Sequence, residues 1–265
     1  MPINQELQEL QSFLEEDLTW RKTELTRLFM LSNSSRELLK SKSIILFLYS
    51  HWEGYIKNIT KKYLLFVSNC NIRCDELTNN FSAILLKGHF QSAFESKDSL
   101  TISNQKAFLD KLDQVRLSNF TIPSSIMVEQ NKKFIDSHNN LTLKNLNSIL
   151  SIVDIPNISF QEEHKDYLGE RLVNQRNGIG HGNKINPASN LTYLQLSDVT
   201  EIRDFTFMLM EHISDQLSYY AEKRLFLACN RDDKLQFDLV STSSFNLSID
   251  KFFNPENYRI STRLD

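Results

Sequence analysis

The chain has 265 residues, 40% hydrophobic and 24% charged, with a formal net charge of −3. That is enough chain for a full hydrophobic core in one large or two small domains. The charge balance excludes a global basic field that would recruit nucleic acid, so positive charge for an anionic polymer must be local or assembled between subunits. Three cysteines argue against a disulfide framework and for a reducing, cytoplasmic setting. Cys70 and Cys74 can share a helix face, but no second Cys/His pair lies near enough for a zinc site. The start, "MPINQELQEL", is polar and acidic, unlike a signal or transit peptide. The run "IILFLY" at 44–49 is the longest apolar one, far short of the ~20 residues of a membrane span.

In chain order, Leu7, Leu10, Phe13, Leu14, Leu18, Leu25, Leu28 and Phe29 recur at a helical period and predict a helix from 5 to 31. A capping box, Ser34 with Glu37, then predicts a second helix reaching about Cys70. Its first half, 44–49, is apolar nearly all round and is expected at the centre. Its second half places Trp52, Tyr55, Ile56, Ile59, Tyr63 and Phe66 on one side. Shorter helices follow at 75–86 and 104–117, in a region read as an insertion over about 75–140. Another, at 142–153, is stopped by Pro156. Ser159 with Glu162 predicts a helix running to about 182, and Asp198 with Glu201 a long one to about Leu227. The stretch 231–265 alternates and carries β-branched residues, which predicts a short hairpin or an arm. The fold class is all-α: a single helical domain over 1–230 and a C-terminal tail over 231–265.

The stretch "ERLVNQRNGIGHGN" at 170–183 carries the chemistry. A sequence with six glycines places Gly178, Gly180 and Gly182 around His181. On a helix, Asn177 and His181 are one turn apart on one face. Arg176 lies about 140° round from His181 and about 7.5 Å back along the axis, a gap a guanidinium side chain can close. Each interior glycine costs about 1 kcal/mol relative to Ala, a cost usually offset by close approach of a neighbour or ligand, and Gly182 suits the position just past the helix end. His181 falls in the last turn, where the helix dipole favours its protonated form. Two readings fit these residues: a helix cap in which Arg and His bond the last carbonyls, or a base with a fixed cation beside it.

"RNGIGHG" resembles the R-N-x-x-x-H signature of the HEPN superfamily, small all-α domains of prokaryotic defence and toxin ribonucleases. The upstream "LFLYSHWEGYIKNITKKYL" is similar to the Tyr-x-x-Trp-Glu-Gly-Tyr segment of one bacterial HEPN branch. The resemblance covers the helical core from 35 to 227. It implies a HEPN-like bundle and a metal-independent endoribonuclease, needing no cofactor, that acts as a homodimer with two motifs facing across a cleft. His181 would be the general base on the ribose 2′-OH, Arg176 would hold the scissile phosphate, and Asn177 would orient the histidine or a phosphate oxygen. Products would carry 2′,3′-cyclic phosphate and 5′-OH ends.

Glu53 is read either as a carboxylate orienting Arg176 or His181, or as a surface acid paired with Lys57. Lys57, Lys61 and Lys62 are candidates for local RNA-binding charge, with Gly178 and Gly180 letting an RNA backbone or a partner helix approach. His51 and Trp52 are weighed as base-stacking groups, with core packing favoured for Trp52. His164 lies about five turns before His181; His89, His138 and His212 are read as structural or surface. An antitoxin or regulatory protein is the expected restraint on such an activity. The rival from another class is an inactive HEPN scaffold or nucleotide- or RNA-binding regulatory module. A phosphoryl-transfer acceptor would need a Gly-rich loop or acidic metal pair, and the sequence has neither.

Overall fold

The computed structural model describes residues 3–31, 37–94, 102–182 and 195–258. The predicted N-cap Ser34 and the loop at 183–190 lie outside them. The described residues are all-α, with two isolated β-bridges, Arg73 to Asn119 and Leu77 to Leu227. None of their helices is long and apolar enough to cross a membrane.

Helix α1 spans Ile3–Met30 and α2 Glu37–Asn69. After a 3-10 turn at Cys74–Glu76 come α3, Asn79–Phe94, and α4, Ser103–Leu117. Helix α5 spans Leu143–Ile152, its N-terminus capped by Thr142, whose hydroxyl accepts from the Asn145 N–H. A π-helical segment, Gly169–Asn174, leads directly into α6, Gln175–Gly180. Helix α7 is Leu196–Glu222 and α8 is Arg231–Phe253.

Helices α1, α2 and α7 pack on one another, and α6 docks on α2. The burial along α2 explains its central place: Ile44, Leu48, Trp52, Tyr55, Ile56, Ile59, Tyr63 and Leu64 are all fully buried. In the run 44–49, Ile44, Ile45, Leu48 and Tyr49 are buried as expected and Phe47 is exposed, whereas burial in the second half does not keep to one side and includes Thr60 and Lys61. Residues from the expected insertion, Phe81, Phe120, Ile122, Ile126 and Ile135, join the same core.

Three local expectations are corrected. No continuous α-helix runs from 160 to 182. A 3-10 turn at Glu162–His164, with Gln161 at its N-cap and no side-chain cap, precedes the π segment, so the Ser159 box does not form. At α7 the N-cap is Gln195, and Asp198 is the third helical residue whose carboxylate accepts from the Gln195 N–H at 2.9 Å. The hairpin or arm expected after residue 231 is helix α8. Its contacts recur at helical spacing: Phe237 stacks on Tyr219, Asp238 accepts from the Tyr220 hydroxyl, Gln216 donates to Ser241, and Phe245 stacks on His212 at 3.7 Å. These partners all lie on α7, so tertiary packing overrides the local alternation.

Candidate active site

The motif sits at the end of a short helix by construction of its backbone. The His181 N–H donates to the Asn177 carbonyl at 3.0 Å and the Gly182 N–H to the Ile179 carbonyl at 3.0 Å, closing the last turn. Gly182 has φ +70°, the left-handed conformation that ends a helix with least strain when the residue has no Cβ. His181 is exposed at this end. The π-helical turn just before α6 widens the backbone where the motif begins, a distortion common at functional sites.

Arg176 is braced on three sides. Its guanidinium carbon lies 4.6 Å from the centroid of the Tyr49 ring. Its Nη1 donates to Asn177 Oδ1 at 2.9 Å and to Asn140 Oδ1 at 3.3 Å. A cation over an aromatic face is attracted by the ring quadrupole, and the two amide oxygens fix the plane of the fork. Arg and Asn of the motif are therefore joined directly.

Beneath Arg176, Tyr49 is itself anchored. Its hydroxyl accepts the Leu141 N–H at 2.8 Å. Burial pushes its pKa up to about 12, the Leu141 bond opposes this, and the Glu53 carboxylate adds to the rise. Glu53 accepts a short bond from the Ser137 hydroxyl and pairs with Lys57 at 3.4 Å. Asn145 ties the same loop down, donating to the carbonyls of Ser137 and Asn140 at 3.1 and 2.7 Å. Loop 137–142 is thus fastened to α2 and presents Asn140 to the guanidinium.

Of the residues singled out in the sequence, the structure joins Arg176 and Asn177, sets His181 one turn on, and brings Glu53 to the same region through Tyr49 and the loop. The Glu53–Lys57 pair is the ordinary i, i+4 pair also weighed in the sequence. The three lysines do not form one cluster. Lys61 is buried with its ammonium on the Val128 carbonyl at 3.1 Å, and burial lowers its pKa. Lys62 leaves on another face, 5.6 Å from the Phe13 ring of α1. Trp52 is fully buried, and His51 is buried against Trp20, with Nε2 3.0 Å from Glu24, so neither is placed to stack on a base. Gly54 lies close under Arg21: a Cβ there would meet the guanidinium at 3.0 Å, so the arginine would have to give by a few tenths of an ångström. By contrast, a Cβ on Gly180 would meet nothing within 4 Å among the described residues. His164 stacks on Phe253 at 3.7 Å, on another part of the fold.

Tyr49 and Asn140 are the site residues that sequence reasoning missed. Tyr49 had a signal, being the first tyrosine of the Tyr-x-x-Trp-Glu-Gly-Tyr segment and one turn before Glu53. Asn140 had none, because only the fold brings its loop to α6. Among the described residues, no group of three His, Cys, Asp or Glu side chains is placed to hold a metal ion.

No curated protein and no solved structure is matched by the chain. The HEPN_MAE_28990-like HEPN pattern matches residues 10–226, which takes in α2, the loop that carries Asn140, and the whole Arg176–His181 motif. An all-α bundle with this motif at a helix end, matched over most of its length, belongs to the HEPN_MAE_28990-like HEPN family.

Proposed function

We propose that the protein is a metal-independent endoribonuclease that works as a homodimer, in a toxin or antiviral defence setting where an antitoxin or regulatory protein restrains it. The observation that carries the reading is the bracing of Arg176 by Tyr49, Asn140 and Asn177 beside an exposed histidine at a helix end. A cation held in place before substrate arrives needs no reorganisation when negative charge builds up, which is how a preorganised site stabilises a transition state.

In this reading His181 takes the proton from the ribose 2′-OH as that oxygen attacks the adjacent phosphorus. Arg176 holds the non-bridging oxygens of the five-coordinate phosphorane. The bond to the 5′-oxygen then breaks, and that oxygen gains a proton and leaves as 5′-OH. The other product keeps a 2′,3′-cyclic phosphate, and no water is consumed. Asn177, already bonded to Arg176, orients the guanidinium rather than standing alone. The space beside Gly180, open among the described residues, is where a second copy of the chain, or the RNA backbone, comes close.

The test is the sugar at the cleaved position. An RNA carrying a single 2′-deoxyribose there resists cleavage at that bond, and the unmodified RNA gives cyclic phosphate ends. Cleavage that persists at the deoxy position, or 5′-phosphate ends, contradicts the 2′-OH mechanism. Binding without any cleavage supports the scaffold reading instead.

A further inference from the structure

A cleft of about 780 Å³ lies between α3, the segment after α4, the 133–134 stretch and α5, and the motif residues do not line it. Its volume falls in the range of small-molecule sites. Among the described residues, three basic side chains line it, Lys87, His89 and Lys133, and no Asp or Glu does. All three are exposed, and among the described residues none of them is ion-paired to a carboxylate. In a protein of net charge −3 this is a local concentration of positive charge.

The walls add a second recognition element. Phe134 is half-buried in the lining beside Ile84 and Ile152, and the Lys133 ammonium lies 5.1 Å from its ring centroid. An anion that draws Lys133 away uncovers a flat aromatic face. The hydroxyls of Thr121, Ser148 and Ser151 donate to backbone carbonyls at 3.3, 3.0 and 2.8 Å, which leaves their lone pairs as acceptors. Cations for phosphate, a π-face for a base and acceptors for base N–H groups are the parts of a single-strand nucleotide site.

We propose that this cleft binds one nucleotide of an RNA strand: its phosphate against Lys87, His89 and Lys133, its base on Phe134. Phe134 is six residues from Asn140, which touches Arg176, so the chain between them spans at most about 22 Å. A few nucleotides of single strand bridge that distance. The cleft then holds a flanking nucleotide while the scissile phosphate sits on Arg176. The choice of RNA as the source rests on the ribonuclease reading; the nucleotide chemistry of the cleft does not.

The experiment measures binding of 2′-O-methyl oligoribonucleotides of increasing length, and separately of AMP and UMP, to the full chain. The variants are Lys87→Glu with Lys133→Glu, Phe134→Leu, and His181→Ala, each checked for unchanged helicity. The double charge reversal weakens a long oligonucleotide about tenfold or more and flattens the slope of log affinity against log salt by about 1. Phe134→Leu weakens it about tenfold without changing the slope. His181→Ala leaves binding of the 2′-O-methyl oligonucleotide intact, while in a parallel assay it stops cleavage of the unmodified RNA. Affinity that does not rise with length, with AMP or UMP still lysine-dependent, assigns the same chemistry to a free nucleotide. Oligonucleotide and mononucleotide affinities that ignore both lysines overturn the proposal. If wild type never cuts RNA yet binding stays lysine-dependent, the ribonuclease reading fails and the cleft stands.

Discussion

Tyr49 does two jobs with two parts of one side chain. Its ring face carries the Arg176 guanidinium and its hydroxyl satisfies the Leu141 N–H. These separate by mutation. Tyr49→Phe keeps the face but strands a buried donor, at a cost of about 1–3 kcal/mol in a urea unfolding titration, and cleavage stays within a few-fold of wild type. Tyr49→Leu removes the face as well and lowers kcat about tenfold or more at similar helicity. A Tyr49→Leu protein that cuts as fast as wild type contradicts the bracing of Arg176. The sequence showed the Arg, Asn and His because they sit within six positions of one helix. It hid Asn140 and made Tyr49 look like core, because those contacts join segments 36 and 92 residues apart.

Among the elements, α2 and α7 announced themselves through long stretches of apolar periodicity; the start of α7 was off where several polar residues competed for the cap, and its end, expected near Leu227, falls at Glu222. Gln195 caps α7 because its side chain reaches the third-residue N–H while Asp198 reaches back; Asp198 and Glu201 carried the same pattern one turn too late. Helix α8 was misread because Leu235, Phe237 and Leu239 alternate, and two of these three, the leucines, remain exposed. What holds α8 is its row of contacts with α7, which local pattern does not reveal. One contact is pH-sensitive. Burial lowers the pKa of His212, stacked flat on Phe245, from 6.5 to about 4. A histidine with a depressed folded pKa is neutral in the fold and gains protons more readily when unfolded. The stability it permits is therefore full above about pH 6.5 and falls as pH drops toward 4. Amide exchange in α8, corrected for intrinsic rates, should rise across that window in wild type and much less in His212→Phe. Equal pH dependence in both proteins would mean that His212 does not control the docking of α8.

At the scale of the whole molecule, the all-α bundle was legible from the scarcity of glycine and proline, and the family from two motifs about 120 residues apart. The second chain that the proposed function calls for comes from the resemblance alone, since nothing in one chain's pattern specifies an interface. Gly180 offers the sharpest handle on it. Its Cβ position meets nothing among the described residues, so Gly180→Ala should leave the monomer as stable or up to about 1 kcal/mol more stable. If a second backbone or the RNA packs there, the same change lowers dimer affinity or cleavage. Light scattering with a cleavage assay reads both, and a variant unaltered in either removes Gly180 from the interface.

The most direct test of the central claim is RNA cleavage in EDTA by wild type, Arg176→Ala and His181→Ala, matched for helicity and oligomeric state. The account predicts that wild type cuts without metal and leaves 2′,3′-cyclic phosphate ends, and that both variants lose at least about a hundredfold in rate. Cleavage that survives both substitutions, or that stops when EDTA removes metal, would contradict it.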